Sequence, residues 1–302
     1  MAAIDVDASS LAGGARRSGS LAPKLRWLRR AIRREPIGAI AGVVLILVFL
    51  LCLFGEAVSG YGAKDLDTLA RFQAPNGEHW FGTDNLGRDI FAQIAYGGRS
   101  TLRVAFVSIG LAAVAGMVIG IVAAYYGGIV DTVLSRLIDA LLAMPSLLLA
   151  MILVLSLGAG ERAIILAIAA VETPRVARVM RATVIGVRSE VFILAAQSIG
   201  ASDRRIMLRH LMPQTFNTVF VVASSALGIA ILIDASLSFL GVGRPPTEPT
   251  WGGMVAGPGR TYLESSPWIA LFPGLAIGVV VLSFNLLGDS LRVLLDPKSR
   301  ER

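Results

Sequence analysis

The side chains that could perform chemistry in this chain are few and widely separated. Its three lysines lie outside the Gly-x-x-x-x-Gly-Lys-Ser/Thr pattern of a phosphate-binding loop. His79 and His210 are its two histidines and Cys52 its single cysteine, without the short spacing of a metal site. These patterns predict no catalytic residue, no metal site and no cofactor on this chain. If its work needs ATP, another subunit must hydrolyse it.

A polar island lies between two apolar runs, at residues 192–213. Helical spacing over residues 190–199 stops at Gly200, since glycine most easily adopts the left-handed conformation that ends a helix. Ser202 is placed to cap a second short helix, and Pro213 is expected to end it. The island therefore predicts two short helices folded about a glycine.

The side chains of this predicted helix pair suit contact with another protein. Asp203 would lie at the positive end of the second helix, and Arg209 and His210 near its negative end. Ala195 and Ala196 are expected to leave a small, smooth surface that another protein can approach closely. The alternative is an ordinary amphipathic loop without a docking role.

The composition is that of a membrane protein. Of 302 residues, 55% are hydrophobic and 16% are charged, with a mean hydropathy of +0.70. Several apolar runs approach the ~20 residues that a helix needs to cross a bilayer. We expect an all-α membrane protein with six transmembrane helices, of which the fourth is short because Glu172 interrupts it. The six predicted spans are residues 37–54, 102–126, 137–157, 162–171, 219–240 and 268–287.

The net charge of +7 is distributed unevenly and predicts the orientation in the membrane. Residues 1–36 hold eight Lys or Arg and three acids, and residues 172–213 hold seven and three. Residues 55–100 hold four basic and six acidic side chains. Because positive residues mark the cytoplasmic side, we expect both termini and the polar island inside, and the 55–100 and 242–267 loops outside. The distribution of positive charge therefore indicates the orientation in the membrane, and it does not predict nucleic-acid binding.

These patterns divide the chain into four predicted segments. Residues 1–36 form a cytoplasmic tail, in which 1–22 are expected to be disordered and 25–34 to form a basic amphipathic helix on the lipid surface. Residues 37–100 hold the first span and the external loop. Residues 101–290 hold a five-helix core that includes the loop 190–213, and residues 291–302 form a cytoplasmic tail.

Charged and helix-breaking residues inside the spans are candidates for function. Asp234 lies in the fifth span, and an acid there is costly unless it is paired. We expect a structural partner for Asp234, and contact with the translocation path is the alternative. Ser238 in the same span is a further pathway or packing candidate. Pro145 is expected to kink the third span, as a gate hinge or for simple packing.

The polar island resembles the coupling loop of ATP-binding cassette (ABC) importer permeases. That signature is Glu-Ala-Ala, three residues, Gly, and an apolar-x-Leu-Pro ending; Leu194 stands where the acid would be, and Met212 where the leucine would be. The positions that match in register are Ala195, Ala196, Gly200 and Pro213. The resemblance implies contact with an ATPase through Ala195, Ala196, Gly200, Ala201, Asp203, Arg209, His210 and Pro213.

The external loop carries a more specific resemblance, to the C-type permease subunit of dipeptide and oligopeptide importers. Its Phe-Gly-Thr-Asp-x-Leu-Gly-Arg-Asp string is matched by Phe81, Gly82, Thr83, Asp84, Leu86, Gly87, Arg88 and Asp89. The stretch from Asp234 to Gly241 is similar to a second string of that subfamily, with aspartate where glutamate is more usual. The stretch 272–297 resembles its last span and tail, so the likeness covers about residues 36–298.

The resemblance implies an ABC type I importer permease fold and a set of partners. They are a homologous B-type permease, two ATPase subunits that bind ATP and Mg, an extracytoplasmic substrate-binding protein and the bilayer of the bacterial inner membrane. The expected solute is a dipeptide or oligopeptide; the alternatives are nickel chelates, glutathione or another small solute. A self-sufficient secondary transporter is a further alternative, which would commonly show an inverted repeat that this sequence lacks.

Overall fold

The computed structural model describes residues 34–245 and 248–295, and all regular elements longer than a single β-bridge in this part of the chain are helical. The predicted tail 1–22, nearly all of the amphipathic segment 25–34, and residues 296–302 lie outside the described residues. The main helices are α1 Pro36–Ser59, α2 Ile90–Tyr126, α3 Gly128–Leu142, α4 Ser146–Leu157, α5 Glu161–Arg188, α6 Val191–Ser198, α7 Asp203–Phe239, α8 Trp251–Met254 and α9 Trp268–Leu295.

Four of these helices, α1, α2, α7 and α9, are long and apolar enough to cross a membrane. Helices α3 and α4 together make a fifth candidate span, although they meet at an angle of 94°. The all-α membrane fold is therefore confirmed, and the count of six spans is not. The remaining long helix, α5, falls outside the candidates because charged side chains recur along it.

Helix α5 differs from the short fourth span predicted over residues 162–171. It runs unbroken from Glu161 to Arg188, through both Glu172 and Pro174. Glu172 was expected to interrupt the apolar span, but its side chain is only 1% exposed and lies inside the bundle, and the helix continues past it. Pro174 has no N–H to bond the Ala170 carbonyl, and membrane helices tolerate a proline where surrounding groups satisfy the freed backbone.

Helix α2 begins well before the predicted span 102–126. Asp89 caps it by accepting a hydrogen bond from the Ala92 N–H, so the helix starts at Ile90. The predicted external loop 55–100 therefore ends at Asp89. The hydropathy pattern missed these first turns, residues 90–101, because Gln93 and Arg99 make this part of α2 less apolar than the run that follows.

The third predicted span contains a break and not a mild kink. Helix α3 ends at Leu142, and Pro145 is the residue before the first turn of α4. The residue before a proline disfavours helical geometry, which separates the two helices at this point. The expected bend at Pro145 is confirmed, and its role as a gate hinge stays a prediction.

The bundle has two ends, each with its own packing core. Helices α2 and α5 pack closely because Gly116 and Gly120 of α2 face Val176 and Met180 of α5, where any added side chain would clash. We call one end the Gly200 end, where the carboxyl ends of α2 and α5 meet α6 and the start of α7. The other is the Asp84 end, where the loop between α1 and α2 contacts the start of α9.

Candidate functional site

The turn at Gly200 has the geometry predicted for it. Gly200 has a φ of 77°, in the left-handed region that favours glycine. Its N–H donates to the Gln197 carbonyl at 3.0 Å, and the Ala201 N–H donates to the Ala196 carbonyl at 3.1 Å. These two bonds form a Schellman motif, which ends α6 and turns the chain toward α7. Ser202 precedes α7 in an extended conformation but makes no side-chain cap.

One face of α6 is held firmly against the bundle. Ile193 of α6 and Ile206 and Leu211 of α7 are buried in a core shared with the ends of α2 and α5. Asp203 accepts a hydrogen bond from the Tyr125 hydroxyl of α2 at 2.7 Å. The α6 helix and the first turns of α7 therefore pack firmly against α2 and α5. A movement of this helix pair would be transmitted to those two long helices.

The opposite face of α6 is apolar and open to solvent. Ile199 at its end is 84% exposed, and Val191, Phe192 and Leu194 are exposed as well. Exposed apolar side chains gathered in one patch are typical of surfaces that contact another protein or a membrane. Leu194, which replaces the acid of the family signature, lies on this open face.

Ala195 and Ala196 were both predicted to lie on an open surface, and the prediction is wrong for Ala196. Ala195 is exposed, as predicted, but Ala196 is only 7% exposed and packs into the chain's own core. Adjacent residues of a helix point about 100° apart, and on α6 this turn places Ala196 toward the bundle and Ala195 toward solvent. Only Ala195 of the two lies on the open surface.

Pro213 does not end the second helix. The chain continues helically from Asp203 to Phe239, through a π-helical turn at Met207–Leu211. In that turn the Met212 N–H donates to the Met207 carbonyl, and the wider turn accommodates a proline that has no N–H to donate. Arg209 and His210 therefore lie inside this turn and not at the negative end of a helix.

The Asp84 loop is built around one buried carboxylate. Asp84 accepts hydrogen bonds from Arg88 Nε at 2.7 Å, from Gln93 Nε2 at 3.0 Å and from the Leu86 N–H at 2.8 Å. Asp89 is hydrogen-bonded instead to His79, with Asp89 Oδ2 2.9 Å from His79 Nδ1. The loop is ordered by the Asp84–Arg88 ion pair and the Asp89–His79 hydrogen bond, both nearly closed to solvent.

The remaining motif residues of this loop shape its backbone and seat it on α9. Gly82 and Gly87 have φ values of 75° and 77°, which favour glycine. Phe81 stacks on Phe272 with ring centroids 4.1 Å apart, and Trp268 Nε1 donates to the Thr83 carbonyl at 3.2 Å. The motif joins the loop between α1 and α2 to the first turns of α9.

Asp234 has the structural partner expected for it. Arg244 Nη2 lies 3.2 Å from Asp234 Oδ1, and both side chains are buried. Arg244 Nη1 also donates to Ser100 Oγ at 2.8 Å, and Ser100 lies 3.3 Å from Glu161. Ser238, one turn after Asp234, has a buried hydroxyl without a hydrogen-bond partner.

Four side-chain contacts between distant segments could not be predicted from the sequence. They are the contact of Arg244 with Asp234, that of Tyr125 with Asp203, and the pairs of Arg178 and Arg181 that join α5 to α3. Arg181 Nε contacts Asp131 at 2.5 Å, and Arg178 Nη2 contacts Asp139 at 2.5 Å. Arg178 and Arg181 are three residues apart and so share one face of α5, and the fold identifies α3 as the helix that this face contacts.

The long apolar helices of the described residues define an all-α membrane protein. The chain belongs to the family of binding-protein-dependent transport system inner membrane components, whose model matches residues 116–301. It is a multi-pass membrane protein, and permeases of this ABC importer family work with ATPase and membrane partners.

Curated relatives cover nearly the whole chain. A dipeptide transport system permease protein of Alkalihalophilus pseudofirmus is 41% identical over 87% of this chain and 86% of its own length. A putative peptide transport system permease protein of Brucella suis is 39% identical over 91% and 92%. A glutathione transport system permease protein of Escherichia coli is 39% identical over 89% of each chain.

The fold is shared with a solved transporter. A chain from an inward-facing methionine ABC transporter matches with a TM-score of 0.56 and 18% identity, over 68% of this chain and 97% of that chain. This likeness concerns the fold alone.

Proposed function

We propose that this chain is the transmembrane subunit of an ATP-driven importer of dipeptides or oligopeptides. The observation that carries the proposal is α6, whose buried face is seated on α2 and α5 while its apolar face is open. A separate ATPase fits that open face, and its movement would reach the long helices through the shared core. ATP and Mg belong to the ATPase, and no cofactor is assigned to this chain.

The proposed assembly contains this chain, a homologous B-type permease, two ATPase subunits and an extracytoplasmic substrate-binding protein. The two permeases line one path at their interface, in a bacterial inner membrane. The Gly200 end and both termini lie in the cytoplasm, which agrees with the basic side chains of residues 172–213. The binding protein docks at the Asp84 end.

The residues take different roles in this proposal. Ala195, Gly200, Ala201 and Asp203 form and support the surface that meets the ATPase, while Ala196 holds it to the bundle. Arg209, His210 and Pro213 lie where the loop joins α7. The motif Phe81–Asp89 keeps the docking end rigid, and the pair of Asp234 with Arg244 ties α7 to it.

The peptide class is supported by the two peptide permeases among the relatives. Glutathione is a second candidate, favoured by the relative from Escherichia coli that carries that name. Glutathione is itself a small peptide, so one type of permeation path suits both. Nickel chelates and a self-sufficient transporter have no such support.

The test is reconstitution of the chain in proteoliposomes with its B-type permease and ATPases, supplied with binding protein and radiolabelled peptides. The proposal expects uptake that needs ATP, the binding protein and an intact Gly200 loop. Uptake by this chain alone, without ATPase subunits, would contradict it. Uptake of glutathione but of no other peptide would support the second candidate.

A further inference from the structure

The helix α6 and the beginning of α7, residues 191–211, form one helix pair at the Gly200 end. Its buried side chains, among them Ile193, Ile206 and Leu211, pack against apolar residues of α2 and α5. Contacts between apolar side chains hold two surfaces together, but they are not directional. Packing of this kind alone leaves the helix pair free to turn or slide by small amounts on the bundle.

One polar side chain of the bundle links it to this helix pair. The Tyr125 hydroxyl, in the last turn of α2, donates a hydrogen bond to Asp203 Oδ1 at 2.7 Å. Within residues 34–245 and 248–295, no side chain other than Tyr125 joins residues 191–211 to another helix by a hydrogen bond or an ion pair. Since a hydrogen bond depends on angle as well as distance, this one fixes an orientation that the apolar contacts leave free.

The last turn of α2 is itself fixed to the bundle. The carbonyl of Ala124, the residue before Tyr125, accepts a hydrogen bond from Arg188 Nη1 of α5 at 2.9 Å. The Ala124 side chain is buried in the core that α2 and α5 share. Tyr125 therefore joins the first residue of α7 to a turn of α2 that α5 holds in place.

We propose that Tyr125 is a positioning residue for energy coupling. Through Asp203 it holds the helix pair at one angle to α2, so that a displacement of α6 moves α2 with it. The inference rests on the proposed function, in which an ATPase contacts the open face of α6, and adds the side chain that passes the movement on. Without this bond the helix pair turns on its apolar contacts, and part of the displacement is lost.

The test is the ratio of peptide taken up to ATP hydrolysed, measured in proteoliposomes that hold the complete importer. Tyr125→Phe removes only the hydroxyl, and we expect it to lower this ratio about fivefold, because one hydrogen bond shifts a conformational equilibrium by about that factor. Tyr126→Phe is the matched control and should keep the wild-type ratio, since Tyr126 is half exposed and Asp203 bonds its neighbour. A lower yield of complex reduces uptake and hydrolysis together and leaves the ratio unchanged.

Substitutions at Asp203 test whether the two residues act as a pair. Asp203→Ala should lower the ratio as far as Tyr125→Phe does. The double variant should show no further loss, because both changes remove the same bond. Asp203→Asn keeps an oxygen that accepts from the tyrosine, so its ratio should be higher than that of Asp203→Ala.

A wild-type ratio in Tyr125→Phe, or an equal fall in Tyr126→Phe, would overturn the inference. Additive losses in the double variant would overturn it as well. These outcomes leave the proposed function intact as long as the wild-type importer takes up peptide only with ATP. Uptake by the wild-type complex without ATP hydrolysis would instead refute the proposed function.

Discussion

At position 200 the backbone has a left-handed conformation that few residue types adopt readily. The φ of 77° suits glycine and is tolerated by asparagine, whereas proline is fixed near −65°. A Cβ at this position would meet no atom within 4 Å, so the constraint is conformational and not steric. The turn therefore depends on one backbone conformation and not on a packed side chain.

This constraint predicts the behaviour of two substitutions at one position. Gly200→Pro should abolish ATP-dependent uptake, because it breaks the turn and removes the N–H that bonds the Gln197 carbonyl. Gly200→Asn should keep most of the uptake. Both should insert in the membrane at normal levels, measured by immunoblot beside peptide uptake. Normal transport by Gly200→Pro would show that the turn does not carry the coupling.

The pair of Asp234 and Arg244 is the most enclosed charge pair among those identified in the described residues. Removing one partner leaves the other buried and uncompensated, which costs about 3–5 kcal/mol. Asp234→Ala should therefore lower the yield of folded protein and its thermal stability in detergent. Asp234→Asn combined with Arg244→Met should recover part of the loss, since both charges are then gone. Equal loss in the single and double variants would contradict the pairing.

At the scale of the elements, two ion pairs hold α3 against α5. The pair of Asp131 and Arg181 is partly buried and has two contacts, at 2.5 and 2.6 Å. The pair of Asp139 and Arg178 is more than half exposed. An exposed ion pair contributes little to stability because water screens it. The two pairs therefore differ in their contribution to stability, although their N–O distances are alike.

Because the Asp131 pair is more buried than the Asp139 pair, replacing each aspartate by asparagine should have unequal effects. Asp131→Asn should release α3 and lower both thermal stability and uptake, at a cost of about 1 kcal/mol. Asp139→Asn, on the same helix, should leave both close to wild type and serves as the control. Thermal inactivation in detergent and initial uptake rates measure the two effects. A larger effect at Asp139 would reverse this ranking.

Some helix ends and breaks could be predicted from the local sequence, and others could not. Gly200 was predictable because glycine after helical spacing is a strong ending signal, and the bend at Pro145 because proline disfavours helix before it. Pro213 misled because a π-helical turn accommodates it, and Glu172 marks the end of an apolar run but not of the helix, which glutamate readily continues. The direction of Ala196 and the pairing of Arg244 depend on which helices become neighbours, which local spacing does not contain.

At the scale of the whole molecule, the fold places two sets of features at opposite ends. The Asp84 end carries the paired charges of the motif loop, and the Gly200 end carries the open apolar face of α6. Basic side chains are concentrated on the polypeptide segments that meet at the Gly200 end. From the positive-inside tendency we propose that the Gly200 end lies in the cytoplasm.

This orientation predicts which positions an impermeant reagent reaches. In a Cys52→Ser background, Leu69→Cys at the Asp84 end should react with an impermeant maleimide in spheroplasts. Ile199→Cys should react only after permeabilisation. Both native side chains are highly exposed, at 95% and 84%, so a difference in labelling reports the side of the membrane. Labelling of position 199 in intact spheroplasts would invert the topology.

The central claim is that a separate ATPase drives this chain through the open face of α6, and site-specific cross-linking tests it most directly. A photo-cross-linking amino acid at Ile199 should capture the ATPase subunit in native membranes, with a yield that changes when ATP is added. The same amino acid at Leu69 is the matched control and should capture no ATPase. Capture of the ATPase from neither position, or equally from both, would contradict the claim.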